Sequence, residues 1–223
     1  MIRFTPVPLT QHDALLGPDF SKNFEAEMKE YYAPFIKKNR KLQVAKETWE
    51  YGVADSIPGA DWIGSGNSVV DVKAPACDLD VKGISVDKLG KETTEASFLQ
   101  NLKKGANGYS VAWENRDWAS LKKIFVDPLT PKHTGLNNLH LLAIVRTKDD
   151  NGVHYALLKI DHTTLTDTQF ISEMVQQAES GVDLPMIDPK YGRTYICISK
   201  RRLEIRLDTA GMAPFLKFSH YSK

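Results

Sequence analysis

The tripeptide Asp-Val-Lys occurs twice in the segment VVDVKAPACDLDVKGIS, which covers residues 69–85. The first copy is Asp71–Lys73 and the second is Asp80–Lys82. Successive side chains of a strand point to opposite faces, so the aspartate and the lysine of each copy share one face. Carboxylate oxygens are ligands for hard cations such as Mg²⁺, and a nearby lysine can orient a water molecule for attack. The spacing therefore indicates hydrolysis of a phosphodiester bond.

The short connection between the two copies predicts that they face each other across a hairpin. If Ala74–Cys77 forms the turn, Lys73 lies opposite Asp78 and Asp71 lies opposite Asp80. Like charges directly opposed on two strands are destabilising by up to ~1 kcal/mol. A divalent cation between the aspartates would remove this repulsion. The alternative interpretation is an ordinary solvent-exposed strand face that carries mixed charges.

Hydrophobic periodicity and turn residues predict the elements that position these side chains. Three short strands joined by turns indicate a three-stranded antiparallel meander, with helices before and after it. The predicted elements, in chain order, are helices over 19–33 and 40–54, meander strands Asp61–Ile63, Ser68–Ala74 and Cys77–Val86, helices over 92–104 and 117–125, strands Leu139–Arg146 and Val153–Ile160, a helix from Thr166 to Gly181, and strands Tyr195–Ile198 and Leu203–Leu207.

Length and composition are those of one globular domain over residues 1–223. Of these residues 42% are hydrophobic and 26% are charged, which is ample for a core. No run approaches the roughly 18 apolar residues of a membrane helix, so no membrane partner and a cytoplasmic location are expected. The formal net charge of +1 neither requires nor excludes a nucleic-acid partner, because phosphate binding needs only a local basic face.

The hairpin motif resembles that of the PD-(D/E)xK nucleases, in which an aspartate on one strand is followed by (Asp/Glu)-x-Lys on the next. The run DVKGISVDKLGK, from Asp80 to Lys91, is also similar to the mismatch-repair nicking endonucleases of the MutH type. The resemblance implies a restriction-endonuclease-like core of the α/β (α+β) class, with helices flanking a mixed central sheet that contains the meander.

The same resemblance implies a set of site residues. Asp71 and Asp80 would hold Mg²⁺ and Lys82 would position the attacking water. A glutamate from the preceding helix often completes such a site, and Glu50 is the first candidate, with Glu47 the second. The sequence departs from the common pattern because position 80 is aspartate rather than glutamate. A second frame, with Asp61, Asp71 and Lys73, stays open.

The function implied is that of a type II restriction endonuclease, which cuts double-stranded DNA at a specific sequence and acts as a homodimer. Such an enzyme would be prokaryotic or phage-encoded. A repair nickase of the MutH type is one alternative. A non-catalytic DNA-binding protein on a degenerate nuclease fold is another.

A basic cluster near the C-terminus, Lys200, Arg201 and Arg202, could contact DNA. Arginine and lysine read guanine edges and neutralise phosphates. Residues 183–223 are therefore expected to contribute DNA contacts. A solvated hairpin is the alternative for the same residues.

Overall fold

The computed structural model describes residues 3–32, 46–63, 70–86, 88–90, 94–97, 109–125, 138–147, 151–161, 172, 191–197 and 202–220. The helices are α1 (Leu9–Leu16), α2 (Phe20–Glu27), α3 (Lys46–Ser56), α4 (Tyr109–Glu114) and α5 (Trp118–Phe125), with a π-helical turn over Met28–Tyr32 and a 3-10 turn over Ala213–Phe215. The strands are β1 (Arg3–Pro6), β2 (Asp61–Trp62), β3 (Val72–Lys73), β4 (Asp78–Val86), β5 (Thr94–Ser97), β6 (Leu139–Thr147), β7 (Gly152–Asp161), β8 (Gly192–Cys197), β9 (Arg202–Leu207) and β10 (Lys217–His220).

A mixed central sheet of seven strands organises the described part of the chain. Its order is β1-β7-β6-β4-β3-β2, and β10 also pairs with β7. Strands β4 and β6 are parallel along their whole length, whereas the other pairs are antiparallel. Strands β5, β9 and β8 form a second, antiparallel sheet. The expected α/β class with a mixed central sheet is therefore confirmed.

Strand β6 lies in the middle of the sheet because the run LLAIV, residues 141–145 of its sequence LHLLAIVRT, is apolar on both faces. All nine of its residues are buried. A strand with both faces covered reads as a continuous apolar run rather than as an alternating one. Its parallel partner β4 therefore also lies in the interior, and so do the residues of the second Asp-Val-Lys.

One apolar core joins the N-terminal helices to the sheet. It includes Phe20 and Phe24 of α2, Trp49 and Val53 of α3, and Tyr155 of β7. Helix α3 packs closely on β4 because residue 83 is glycine. A Cβ atom at Gly83 would lie 2.6 Å from two atoms of the Trp49 indole, so any side chain there would displace the helix.

The expected three-stranded meander is not supported. Strand β3 pairs with β2 and with β4 over only two residues each, and the described part of the strand expected over Ser68–Ala74, residues 70–74, is extended in the sheet only at Val72–Lys73. Strand β4 pairs over nine residues with β6, in parallel. A long central strand gains more ladder hydrogen bonds from β6 than from a two-residue neighbour, so these segments are the edge of a larger sheet.

The helix expected over 92–104 is also wrong within its described part. Residues Thr94–Ser97 form β5, which pairs with β9. Strand formation there is decided by the available partner rather than by local propensity.

The helices expected over 19–33 and 117–125, the hairpin of β6 and β7 and the last strand pair are confirmed. The second predicted helix is present from Lys46, and its residues 40–45 lie outside the described part. The helix predicted from Thr166 also lies outside it, apart from position 172. Among the described residues, no helix has the length and apolar character needed to cross a membrane.

Candidate active site

The predicted hairpin register is present between β3 and β4. Lys73 lies opposite Asp78 and Val72 lies opposite Leu79. The backbone N–H of Asp71 donates to the carbonyl of Leu79 at 2.8 Å, and the N–H of Ala74 donates to the carbonyl of Cys77 at 2.9 Å. The turn therefore brings Asp71 next to Asp80.

Asp71, Asp80 and Lys82 form a buried ionic cluster. The Lys82 ammonium donates a hydrogen bond to Asp80 Oδ1, and its Nζ lies 3.6 Å from Asp71 Oδ2. Asp71 Oδ2 also accepts a hydrogen bond from the backbone N–H of Val81 at 2.8 Å. The Lys82 side chain is the most exposed of the three, at 11%. These contacts fix the orientation of both carboxylates.

The β6 residues beside Asp80 and Lys82 are apolar. In the parallel register, Asp80 lies beside Leu141 and Lys82 lies beside Ala143, and both β6 residues are fully buried. This burial raises the pKa of the Asp80 carboxyl to about 7. The Asp71 carboxylate and its hydrogen bond with Asp80 also raise the pKa, whereas the Lys82 ammonium opposes them. Burial therefore favours the neutral form of the Asp80 carboxyl more than water does.

Glu50, the expected helix-borne carboxylate, is fully buried on α3. Its Oε2 accepts a hydrogen bond from Trp62 Nε1 at 3.1 Å. Trp62 lies opposite Val72 on β3, the residue that follows Asp71. Glu50 does not form a metal-holding group of three carboxylates with Asp71 and Asp80 among the described residues. Glu47 also lies on α3, but its side chain is outside the described part.

The residues of the alternative frame are in a different environment. Asp61 and Lys73 are paired in register across β2 and β3, and both are exposed. Asp71 is common to both frames and is buried. The structure thus places Asp71 with Asp80 and Lys82 in one buried cluster and leaves Asp61 and Lys73 at the surface.

The fit of a divalent cation depends on the two aspartates. The Lys82 ammonium balances one of the two carboxylate charges, and Asp80 Oδ2 is buried with no hydrogen-bond partner among the described atoms. That oxygen and the Asp71 carboxylate suit a hard cation such as Mg²⁺. No group of three or more His, Cys, Asp or Glu side chains suited to a metal occurs in the described ranges, so the pair stands without a third carboxylate.

Comparisons with known proteins add nothing to this geometry. No family model, no curated protein and no solved structure matches the chain.

Two features near the cluster were not expected from the sequence. Arg146 at the end of β6 is 2% exposed, donates from Nη2 to Ser85 Oγ at 3.2 Å and lies 5.3 Å from the centre of the Trp49 ring. An arginine that follows an apolar run is typical of the exposed end of a strand, so the sequence does not predict that Arg146 is buried. The second feature is the hydrogen bond from Trp62 to Glu50, which joins two separate elements.

The predicted DNA-contacting cluster lies mostly outside the described residues. Lys200 and Arg201 lie outside the described residues. Arg202 is the first residue of β9 and pairs with Cys197, and its side chain is outside the described part.

Proposed function

We propose that this protein is a Mg²⁺-dependent endonuclease that hydrolyses phosphodiester bonds of double-stranded DNA at a specific sequence, on a restriction-endonuclease-like core of the PD-(D/E)xK type. The observation that carries the proposal is the convergence of Asp71, Asp80 and Lys82. Lys82 supplies one positive charge for two buried carboxylates, so a bound divalent cation next to a scissile phosphate would balance the remaining negative charge.

The chain's own residues would act in defined ways. Asp71 is oriented by the Val81 N–H, and together with Asp80 it would hold the cation. When bound, Mg²⁺ supplies positive charge that stabilises the negative charge developing at the phosphate. Lys82 lies within reach of both carboxylates and would orient the attacking water and balance the charge of the site.

Burial supports the frame that uses the second Asp-Val-Lys. A desolvated lysine beside two carboxylates can interact strongly with a water molecule and a phosphate, because electrostatic interactions are stronger away from bulk water. Lys73 is exposed and lies opposite the exposed Asp61. The proposed catalytic lysine is therefore Lys82.

The direct test uses supercoiled plasmid DNA incubated with the protein in Mg²⁺, in Mn²⁺ and in EDTA. We expect cleavage with either metal and none in EDTA, because the site offers hard oxygen ligands. Full cleavage in EDTA would rule out the metal mechanism. Binding without cleavage under every condition would favour a non-catalytic DNA-binding protein.

The form of the products decides between restriction and repair. A restriction endonuclease gives discrete linear fragments, and sequencing their ends would reveal a common and symmetric site if a homodimer cuts both strands. A repair nickase would instead accumulate open circles.

A further inference from the structure

The hairpin that joins the two Asp-Val-Lys copies has a short ladder of its own. Strands β3 and β4 pair at two positions, Val72 with Leu79 and Lys73 with Asp78. A shift of this pairing by one residue would turn Asp71 away from the face that carries Asp80. Contacts from outside the hairpin are therefore needed to specify the register that assembles the ionic cluster.

Asn138, the residue before β6, binds this hairpin at two points. Its side-chain amide, through Nδ2, donates a hydrogen bond to the carbonyl of Ala76, inside the turn Ala74–Cys77. Its backbone carbonyl accepts the N–H of Asp78, the first residue of β4, at 3.1 Å. One residue therefore binds both the turn and the start of the strand that carries Asp80 and Lys82.

The position of Asn138 is itself fixed by the most buried strand of the sheet. The next residue, Leu139, begins β6 and lies beside Asp78 in the parallel register. The carbonyl of Asn138 also accepts a hydrogen bond from Nδ1 of the buried His140 at 3.1 Å. The interior of the sheet is thus connected to the turn through Asn138.

The chemistry of the Asn138 side chain matters, because a carbonyl such as that of Ala76 can be bound only by a donor. The turn has a second contact, from the Cys77 thiol to the carbonyl of Leu15 on α1 at 3.7 Å. A thiol is a weak donor, whereas an amide N–H is an ordinary one. The Asn138 amide is therefore the stronger of these two contacts.

We propose that Asn138 is a positioning residue for the candidate active site. Its amide holds the turn Ala74–Cys77 in the register that places Asp71 beside Asp80 and Lys82. Asn138 acts through the turn and not on the substrate. The inference goes beyond the proposed function because it concerns how the ionic cluster is assembled, and only its consequence for cation binding rests on that function.

The first experiment follows amide hydrogen exchange by NMR, in EDTA and without DNA. The Val81 N–H donates to Asp71 Oδ2 at 2.8 Å, so its exchange rate reports on the position of Asp71. Asn138→Ala should raise the exchange rate of Val81 about 5-fold, as expected for the loss of one hydrogen bond. Amides of the β6–β7 ladder should change by less than about 2-fold, because Asn138 is exposed and its removal leaves the core intact.

Two further variants separate the hydrogen bond from other effects. Asn138→Asp keeps the shape of the side chain without a donor, so it should raise Val81 exchange as much as Asn138→Ala. Asn23→Ala is the matched control, because Asn23 Nδ2 donates to the Ser56 carbonyl at 3.3 Å, the same kind of bond away from the turn. Unchanged Val81 exchange in both Asn138 variants would overturn the proposal. An equal rise in Asn23→Ala, or across all amides, would also overturn it.

The second experiment measures how plasmid cleavage depends on Mg²⁺ concentration. The Mg²⁺ needed for half-maximal cleavage should rise about 5-fold in Asn138→Ala, because fewer molecules hold the two carboxylates in the binding arrangement. The rate at saturating Mg²⁺ should stay within about 2-fold, since the bound cation selects that arrangement. A loss of stability alone would reduce the amount of active protein without changing the Mg²⁺ requirement. An unchanged requirement in both Asn138 variants would contradict the positioning role.

The outcomes distinguish this inference from the proposed function. If the wild-type protein cleaves DNA with Mg²⁺ but the Asn138 variants keep the wild-type exchange and Mg²⁺ requirement, the role of Asn138 is wrong and the nuclease stands. If no metal supports cleavage but Val81 exchange rises in Asn138→Ala and not in Asn23→Ala, Asn138 holds Asp71 in place and the nuclease is wrong.

Discussion

The two copies of Asp-Val-Lys have the same chemistry and opposite environments. In the first copy Lys73 is exposed on a two-residue strand at the sheet edge, opposite the exposed Asp61. In the second copy both Asp80 and Lys82 are buried, on a strand that pairs along its whole length with β6. Water screens the first pair of charges, whereas the apolar neighbours of the second pair do not.

The two copies have the same sequence, so the difference in burial comes from the position of each copy in the sheet. Asp71 belongs to the first copy in sequence but to the second in space, because its Oδ2 accepts the N–H of Val81 and lies near Lys82. A one-residue shift of the hairpin would turn these side chains to the other face. The turn Ala74–Cys77 is therefore as important to the site as its charged residues.

The largest expected difference between the copies is in cleavage. Asp80→Asn removes a carboxylate from the buried pair and should lower the cleavage rate by at least about 100-fold, since cation-assisted stabilisation amounts to several kcal/mol. Asp61→Asn should stay within a few fold of the wild type. Both rates are measured on plasmid DNA in Mg²⁺, with DNA binding as the control for folding. An inactive Asp61→Asn beside an active Asp80→Asn would move the site to the first copy and make Lys73 the catalytic lysine.

The second comparison concerns the stability of the metal-free protein. Lys82→Met leaves two buried carboxylates without their cation and should lower the free energy of unfolding by about 3 kcal/mol at pH 8. Lys73→Met, made at the surface, should change it by less than about 0.5 kcal/mol. Urea denaturation in EDTA measures both.

Mg²⁺ provides an internal check on the same pair of variants. A cation that binds the folded state stabilises it, so addition of Mg²⁺ should raise the stability of Lys82→Met. Equal losses in the two lysine variants, with no response to Mg²⁺, would contradict the distinction between the copies.

The third comparison is the pH dependence that Asp80 adds to stability. Its pKa in the folded protein is about 7, against 3.8 for the ordinary carboxyl. The folded state then binds more protons than the unfolded state between these values, so the contribution of Asp80 to stability is fully present below about pH 4 and is lost as the pH rises through 7. The loss should be a few kcal/mol, at about 1.4 kcal/mol per pKa unit.

The variants isolate this contribution from that of other groups. The difference in unfolding free energy between the wild type and Asp80→Asn, measured in EDTA, should shift in favour of the variant between about pH 4 and pH 7. Asp61→Asn should show no such shift. A pH-independent difference for Asp80→Asn would mean that Asp80 is ionised in the folded protein throughout.

The smallest expected effect is the coupling of Asp61 to Lys73. A double-mutant cycle with Asp61→Ala and Lys73→Ala should give an interaction energy below about 1 kcal/mol, because exposed cross-strand pairs are weak. Chemical denaturation of the four proteins measures it. A coupling of several kcal/mol would show that the first copy is not solvated.

Much of the fold follows from local patterns, and the rest depends on partners distant in sequence. The apolar run of β6 and the turn residues before β7 predict the hairpin of β6 and β7. The length of the turn between the two Asp-Val-Lys copies predicts that Lys73 lies opposite Asp78. The parallel pairing of β4 with β6 has no local signal, since an apolar strand does not indicate its neighbour. The local pattern over 92–104 predicts a helix, but Thr94–Ser97 forms strand β5 because it pairs with β9, a partner distant in sequence.

The candidate site divides in the same manner. The spacing of Asp71, Asp80 and Lys82 predicts their proximity, because the hairpin joins them directly. It does not predict the raised pKa of Asp80, which depends first on the burial of the carboxyl in the folded sheet. The hydrogen bond from Trp62 to Glu50 was likewise unpredictable, since it depends on how α3 lies against β2.

The order of strands in the central sheet also constrains how the chain is assembled in time. Strand β4 leaves the ribosome well before its partner β6, and β1 must wait for β7 at Gly152–Asp161. Non-local pairings of this kind slow folding and leave intermediates with unpaired strand edges. The nascent chain therefore cannot bury Asp80 and Lys82 against Leu141 and Ala143 until β6 has been synthesised. Completion of the ionic cluster is thus a late step, coupled to synthesis of the second half of the protein.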